Sequence, residues 1–384
     1  SLAGDLLIAQ NAALTNIDGL DNLSGVDGTL TIDDNESLGN LDGLANLTSV
    51  KTYLSISNNS ALTNIDALVN LTSVGIGLRI HNNASLTRIN GLASLTSVQA
   101  DINISRNPAL ANIDGLAKLT SVGGPMTLKS NDSLTDINGL TNLTTVGGDL
   151  TIDSNPALVN LDGLASLTNV QAGVYVTSNA ALTNVDGLIR LTSVGEDLYI
   201  SINYALSNID GLMNLASVGG NLRVTGNTAL GHINGFEGLG SVGGSLIINS
   251  NAELDNINGL LNLSGVGGYL HLTDNDALSN INGLNNLNSV GGDLQIRWND
   301  ALTHIDGLAN LSSAAGIVTI DFNTALTDID GLIKLTRIGG LGIAANNELT
   351  NVDGLANLIS VDRTLFIRFN DSLADLDGLT KLIS

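Results

Sequence analysis

Leu150-Thr-Ile152-Asp-Ser-Asn155-Pro-Ala-Leu158-Val-Asn-Leu161-Asp162-Gly163-Leu164-Ala-Ser-Leu167-Thr-Asn-Val170 holds most of one period of a pattern that runs through the whole chain. Reduced to its constant positions it reads L-x-I-x-x-N-x-x-L-x-x-I-[DN]-G-L-x-x-L-x-x-V-x-G-x. The Asp/Asn ahead of the Gly-Leu step, which is Ala-Leu after Asp66 and Gly-Phe after Asn234, marks each copy. It is Asp18, Asp42, Asp66, Asn90, Asp114, Asn138, Asp162, Asp186, Asp210, Asn234, Asn258, Asn282, Asp306, Asp330, Asp353 and Asp377. The interval is 24 residues everywhere except between Asp330 and Asp353, where one residue is missing around Gly339-Gly340-Leu341. A fixed period of this length overrides any division by chain length. With no linker, charge block or composition shift, residues 1–384 are expected to form a single continuous solenoid of sixteen repeats.

Within a repeat the apolar positions are spaced 2, 6, 3, 3, 3 and 3. A helical stripe needs alternating threes and fours over ten or more residues, and the Asp-Gly and Gly-Gly steps interrupt any such run. Leu-x-Ile is instead a short strand with both apolar side chains on one face, and the remainder is a series of tight turns. One repeat cannot bury its own apolar positions, whereas stacked coils cover one another. The expected fold is therefore mainly β, a parallel β-solenoid of sixteen turns with little helix.

Composition narrows the function. The 384 residues carry a formal charge of −23, 37 acidic against 14 basic, with ten aromatics and no Cys. A phosphate backbone needs clustered Lys and Arg, so a nucleic-acid partner is not expected. Disulfides, thiolate zinc and thiol catalysis are excluded. No apolar run approaches the ~20 residues of a membrane span. The four His fall in different repeats, and no nucleophile elbow, phosphate loop or dinucleotide fingerprint occurs. The chain is expected not to be an enzyme and to need no cofactor.

The combination L-x-I-x-x-N-x-x-L followed by Leu-x-x-Leu resembles the leucine-rich repeat family. Joined as L-x-x-V-x-G-x-L-x-I-x-x-N-x-x-L, it looks most like the receptor L-domain branch. The resemblance covers the whole chain. It implies a right-handed parallel coil, secreted or on the cell surface, that recognises protein or glycan in adhesion and does not catalyse. Unlike many members, the chain shows no clear N- or C-terminal cap: it opens on Ser1-Leu-Ala-Gly-Asp-Leu6 and closes on Lys381-Leu-Ile-Ser384. Two expectations follow, a segment of a longer protein or a structural shaft whose ends stack into a fibre.

Two polar columns accompany the apolar ones. The first is Asn in all repeats: Asn11, Asn35, Asn59, Asn83, Asn107, Asn131, Asn155, Asn179, Asn203, Asn227, Asn251, Asn275, Asn299, Asn323, Asn346 and Asn370. An amide donates and accepts, so stacked copies can bond one another and orphaned turn backbone. The reading is a structural ladder. The second is the Asp/Asn column, where the side chain is expected to cap the Gly-Leu turn by accepting from N–H groups two or three residues on. Its rival is a calcium site on successive carboxylates such as Asp162, Asp186 and Asp210.

Recognition is expected where the repeats differ, on the residues that alternate outward with Leu-x-Ile, from Leu7 and Ala9 to Phe366 and Arg368. Aromatics concentrate there. Trp298, Phe322 and Phe369 precede the ladder Asn in three of the last four repeats, with Arg297, Arg368 and Phe366 alongside, and Tyr175 and Tyr199 form a smaller pair. Exposed aromatics beside Arg suit a protein or glycan contact. An ice-binding array is the lesser alternative, resting on the single file Thr48, Thr72, Thr96, Thr120, Thr144, Thr168 and Thr192.

Overall fold

Each repeat closes into one flattened coil, because its Leu, Ile and Val side chains have nowhere to go but inward. In the computed structural model, which describes all residues 1–384, Leu150, Ile152, Leu158, Leu161, Leu164, Leu167 and Val170 are at most 1% exposed. At ~1.5–3 kcal/mol for each fully buried aliphatic side chain, these columns are the main force favouring the coil. The chain forms two compact units, Ser1–Leu191 and Thr192–Ser384.

In the first unit, four- and five-residue strands pair in parallel with a constant 24-residue offset, from Leu6↔Leu30 to Leu150↔Val174. A second parallel ladder of two-residue strands joins the x-Val steps, as in Val74↔Val98 and Val122↔Val146. The second unit repeats the scheme from Leu198↔Leu222 to Leu341↔Leu365. Where the 23-residue repeat falls, the short and long strands fuse into Ser313–Asp321 and Arg337–Ala344. Their register slips by one between Ala314↔Ile338 and Ile317↔Gly340, so the deletion is absorbed as a bulge and the apolar side chains keep facing inward.

The side opposite the strands is a stack of 3₁₀ turns, one in every repeat at the Asp/Asn-Gly-Leu step. A three-residue turn rather than a helix follows from packing. A Cβ on Gly163 would stand 1.9 Å from the Ile137 carbonyl oxygen of the preceding coil, so glycine lets this turn stack without displacing backbone. Ala67 takes the glycine place in the third repeat, and there the turn lengthens to Asp66–Asn70.

The ladder asparagines from Asn35 to Asn346 are completely buried. Asn59 shows the arrangement. Its Nδ2 donates to the carbonyls of Ile32 (2.9 Å) and Ser57 (2.8 Å), and its backbone N–H donates to Asn83 Oδ1 at 3.1 Å. The amide thus ties the strand ends of its own and the preceding coil to the bend that follows them. The residue just before it has positive φ in all sixteen repeats, from 52° to 67°, and only Gly226 among them is glycine.

The turn caps differ from expectation. The bond to the first N–H of the turn comes from the residue two places before it: Asn160 Oδ1 accepts from the Asp162 N–H at 3.1 Å, and Asn184 and Asn208 do the same for Asp186 and Asp210. An amide already positioned ahead of the turn reaches its first N–H in an Asx-turn, which leaves the following carboxylate outside. Asn160→Ala should therefore cost about 1 kcal/mol, and Asp162→Asn close to nothing, as measured by urea unfolding. A larger loss from the second change would restore the expected cap.

Where the cap residue is not Asn or Asp, it is a base joined to a carboxylate. Arg88 meets Asp66 at 2.6 Å, His232 meets Asp210 at 3.8 Å and His304 meets Asp328 at 3.4 Å.

Candidate functional site

The second unit gathers most of the aromatic residues expected at a site, but in two groups. Trp298 and Phe322 lie on adjacent coils with rings nearly parallel, 16° apart and 5.6 Å between centroids. The Arg297 guanidinium sits 4.2 Å from the Trp298 ring centre. Farther along, Arg368 lies over Phe366 at 5.1 Å and Phe369 at 5.6 Å. A coil of small residues separates the groups, because Gly342, Ala344 and Ala345 stand where the neighbouring coils carry larger side chains. The Phe366 ring folds into the space over Gly342.

Trp298, Phe322 and Phe369 remain 44%, 42% and 71% exposed. All three hold the left-handed backbone conformation, with φ of 52°, 58° and 57°. That conformation disfavours a bulky side chain by roughly 1–2 kcal/mol, and the exposed ring recovers little of this by burial.

Between the groups lies a buried carboxylate. Asp321 is 6% exposed and 3.6 Å from the Arg297 Nε, and its Oδ1 has no hydrogen-bond partner within the protein. Burial pushes its carboxyl above the ordinary carboxylate range, against the pull of Arg297 and Arg368. Other outward positions of the same sheet share this feature. Ser201 Oγ, Arg223 Nε, Thr225 Oγ1, Asn249 Oδ1 and His271 Nε2 are shielded and have no hydrogen-bond partner in the protein. Shielded polar atoms are normally paired, so a file of them along successive coils is a row of unmet donors and acceptors.

Tyr199 lies four coils from Arg297, roughly 19 Å at ~4.8 Å per coil, and so outside the aromatic cluster. Arg223 covers it at 5.1 Å, and burial followed by a bond to Asp197 raises its phenol above the ordinary range. Tyr175 belongs to the first unit, where its ring folds back over Gly173. Sequence reasoning missed Tyr269, which is 50% exposed and stacked on His271 at 5.5 Å. It stands just ahead of its strand, outside the alternation used to find outward residues, and the signal was an aromatic, matched by Tyr53, in a column otherwise mostly small or polar. Burial lowers the His271 imidazole, with Arg297 acting in the same direction and Asp293 opposing.

No three His, Asp or Glu side chains converge as a metal site requires. Asp162, Asp186 and Asp210, the residues of the calcium expectation, are each exposed on the 3₁₀ turn of their own coil. In the Thr file, Thr72, Thr120, Thr144 and Thr168 turn their hydroxyls onto carbonyls of the preceding coil at 3.0–3.1 Å. Two surface amides do likewise, Asn46 donating to Asp21 O (2.7 Å) and Asn142 to Ala117 O (2.8 Å).

One strand and one 3₁₀ turn per coil, with a buried Asn holding the bend between them, is the structure that the motif L-x-x-L-x-L-x-x-N builds. The coils have the leucine-rich repeat fold. Solved structures similar to this leucine-rich repeat chain include an internalin from Listeria monocytogenes, with 18% identity over 95% of this chain and 86% of that one and a TM-score of 0.33. They also include TLR13 in its complex with ssRNA13, with 15% identity over 98% and 75% and a TM-score of 0.19. No family model and no curated protein matches the chain. No helix of the leucine-rich repeat units is long and apolar enough to cross a membrane.

Proposed function

We propose that this leucine-rich repeat chain is a non-catalytic recognition module of a secreted or cell-surface protein, binding protein or glycan through the variable strand face of its second unit. The observation that carries the reading is the coincidence of two costs on one surface. Exposed Trp298, Phe322 and Phe369 occupy backbone positions that disfavour them, and beside them runs a file of shielded polar atoms without partners. Folding alone does not reward either feature; a bound surface rewards both, by covering the rings and completing the hydrogen bonds. The open face has no enclosed cleft in which a substrate would be desolvated, which favours binding over catalysis.

The test is the triple variant Trp298→Ala, Phe322→Ala, Phe369→Ala on a glycan and protein array. Alanine already occupies this backbone position at Ala345, so the thermal transition should stay within a few degrees of the parent. Partner binding should fall by a hundredfold or more, at ~2 kcal/mol for each anchoring aromatic. Binding that survives the triple change would remove the aromatic face from the reading.

A further inference from the structure

The strand face of the first unit carries a different chemistry, and it does not depend on the aromatic cluster. The last residues of three successive strands, His81, Ser105 and Lys129, lie in one column with parallel register His81↔Ser105 and Ser105↔Lys129. Arg106 follows Ser105 at the positive-φ position, with φ of 54°. With Asn103 and Thr127 these residues line an open groove of ≈ 400 Å³. The lining holds three basic side chains and no carboxylate, in a chain whose net charge is −23.

The neighbouring charges are already committed. Arg79 bonds Asp101 at 3.0 Å and lies over Tyr53. Asp33, two coils before His81, accepts from Ser57 Oγ at 2.5 Å and Asn58 Nδ2 at 2.8 Å. Asp153, one coil beyond Lys129, accepts from Lys129 Nζ and Thr177 Oγ1, both at 2.7 Å. The Arg106 guanidinium has no carboxylate partner and the Ser105 hydroxyl no hydrogen bond. The Lys129 side chain is 47% exposed, whereas Asp153 is 15% exposed and also accepts from the Thr177 and Ser154 hydroxyls, so Lys129 can turn to a competing anion without stripping Asp153 of its bonds.

We propose that the groove around Ser105 is an anion site for a single sulfate or phosphate group, held by Arg106, Lys129 and protonated His81. Charge-assisted bonds from three sides are the arrangement that such a group rewards. The size is set by the coil spacing: His81 and Lys129 stand about 10 Å apart along the stack at ~4.8 Å per coil. Carboxylates close both ends of the column, so an extended polyanion meets Asp33 on one side and Asp153 on the other. The site selects one compact oxyanion over a chain of them.

Proton linkage supplies the readout. Burial, Arg106 and Arg79 hold the His81 imidazole below its ordinary value, with Asp33 opposing them and the Lys129 ammonium two coils on. A bound dianion favours the imidazolium and moves the midpoint upward. Affinity is then full below the midpoint of the free chain and lost as pH rises through the midpoint of the complex.

The experiment uses the intact chain labelled on histidine, whose four rings include His232 and His304 as internal controls. The ring resonances are titrated with pH in sodium sulfate and in sodium chloride at matched ionic strength. The His81 midpoint should be higher in sulfate by about half a unit or more, with His232 and His304 equal in the two salts. The double variant Arg106→Gln, Lys129→Gln should weaken sulfate binding by about tenfold or more while the other ring resonances keep their positions, showing an intact fold. Equal His81 midpoints in the two salts would overturn the site. A sulfated polysaccharide binding far more tightly than its content of single sulfate groups would overturn its compactness. Neither result bears on the aromatic face, whose variant is read on the arrays.

Discussion

Asn155→Leu should lower the stability of the chain by about 4 kcal/mol. Asn155 is fully buried, and its Oδ1 accepts from both the backbone N–H of Asn131 (3.1 Å) and the Asn131 side chain (3.3 Å). Leucine is about the right size, so packing is nearly conserved and the loss is almost purely polar. Two donors are left without an acceptor in a place water does not reach, each costing ~1–3 kcal/mol. The carbonyls of Leu128 and Asp153 lose the Nδ2 that now reaches them at 3.0 and 3.2 Å. Asn155→Asp separates acceptor from donor. It keeps the acceptor for Asn131 but sets a carboxylate oxygen against those two carbonyls. Burial raises the folded-state pKa of the introduced carboxyl above its unfolded value of ~3.9. The penalty should therefore be small in acid and grow as pH rises above ~4. Urea unfolding at pH 4 and pH 7 measures both. A leucine variant within 1 kcal/mol of the parent would mean that the amide column does not hold the bends.

Gly163→Ala should cost about 3 kcal/mol, a large effect for one methyl group. The added Cβ would lie 1.9 Å from the Ile137 carbonyl oxygen and 2.5 Å from its carbon, both backbone atoms of the previous coil. Relief requires the coils to separate, which loosens the Leu161 and Leu164 columns that the turn presses inward. Gly19 supplies the control. It occupies the same place in the first turn, where a Cβ meets nothing within 4 Å, so Gly19→Ala should be neutral or slightly stabilising. The contrast is measured by comparing thermal midpoints of the two variants. Equal effects would show that the glycine serves local turn geometry and not stacking.

Much of this was legible beforehand. The Leu-x-Ile strand, the inward columns and the Asn positions follow from spacing, because a short repeat has only one way to bury its apolar side chains and satisfy its bends. The Asx cap was assigned to Asp162 when Asn160 makes it. Both residues can accept a hydrogen bond, and only the backbone path decides which carbonyl oxygen points at the free N–H. The cluster of Arg297, Trp298 and Phe322 was legible because adjacent repeats place equivalent residues side by side. The buried state of Asp321 was not, since a carboxylate on an outward position reads as solvated until the Arg and aromatic side chains around it are placed.

The amino-acid order by itself determined the coil: its length, its apolar interior, its amide ladder and the face left free to vary, since all of these are consequences of a period repeated along the chain. Only the tertiary structure decided which polar groups on that face find partners. Between coils the interacting residues lie about one repeat apart, 22 positions for Arg79 and Asp101, and whether Arg79 takes Asp101 while Arg106 is left over turns on ångström differences in side-chain reach. Periodicity fixes which residues are neighbours, and the packed geometry settles which of them bond.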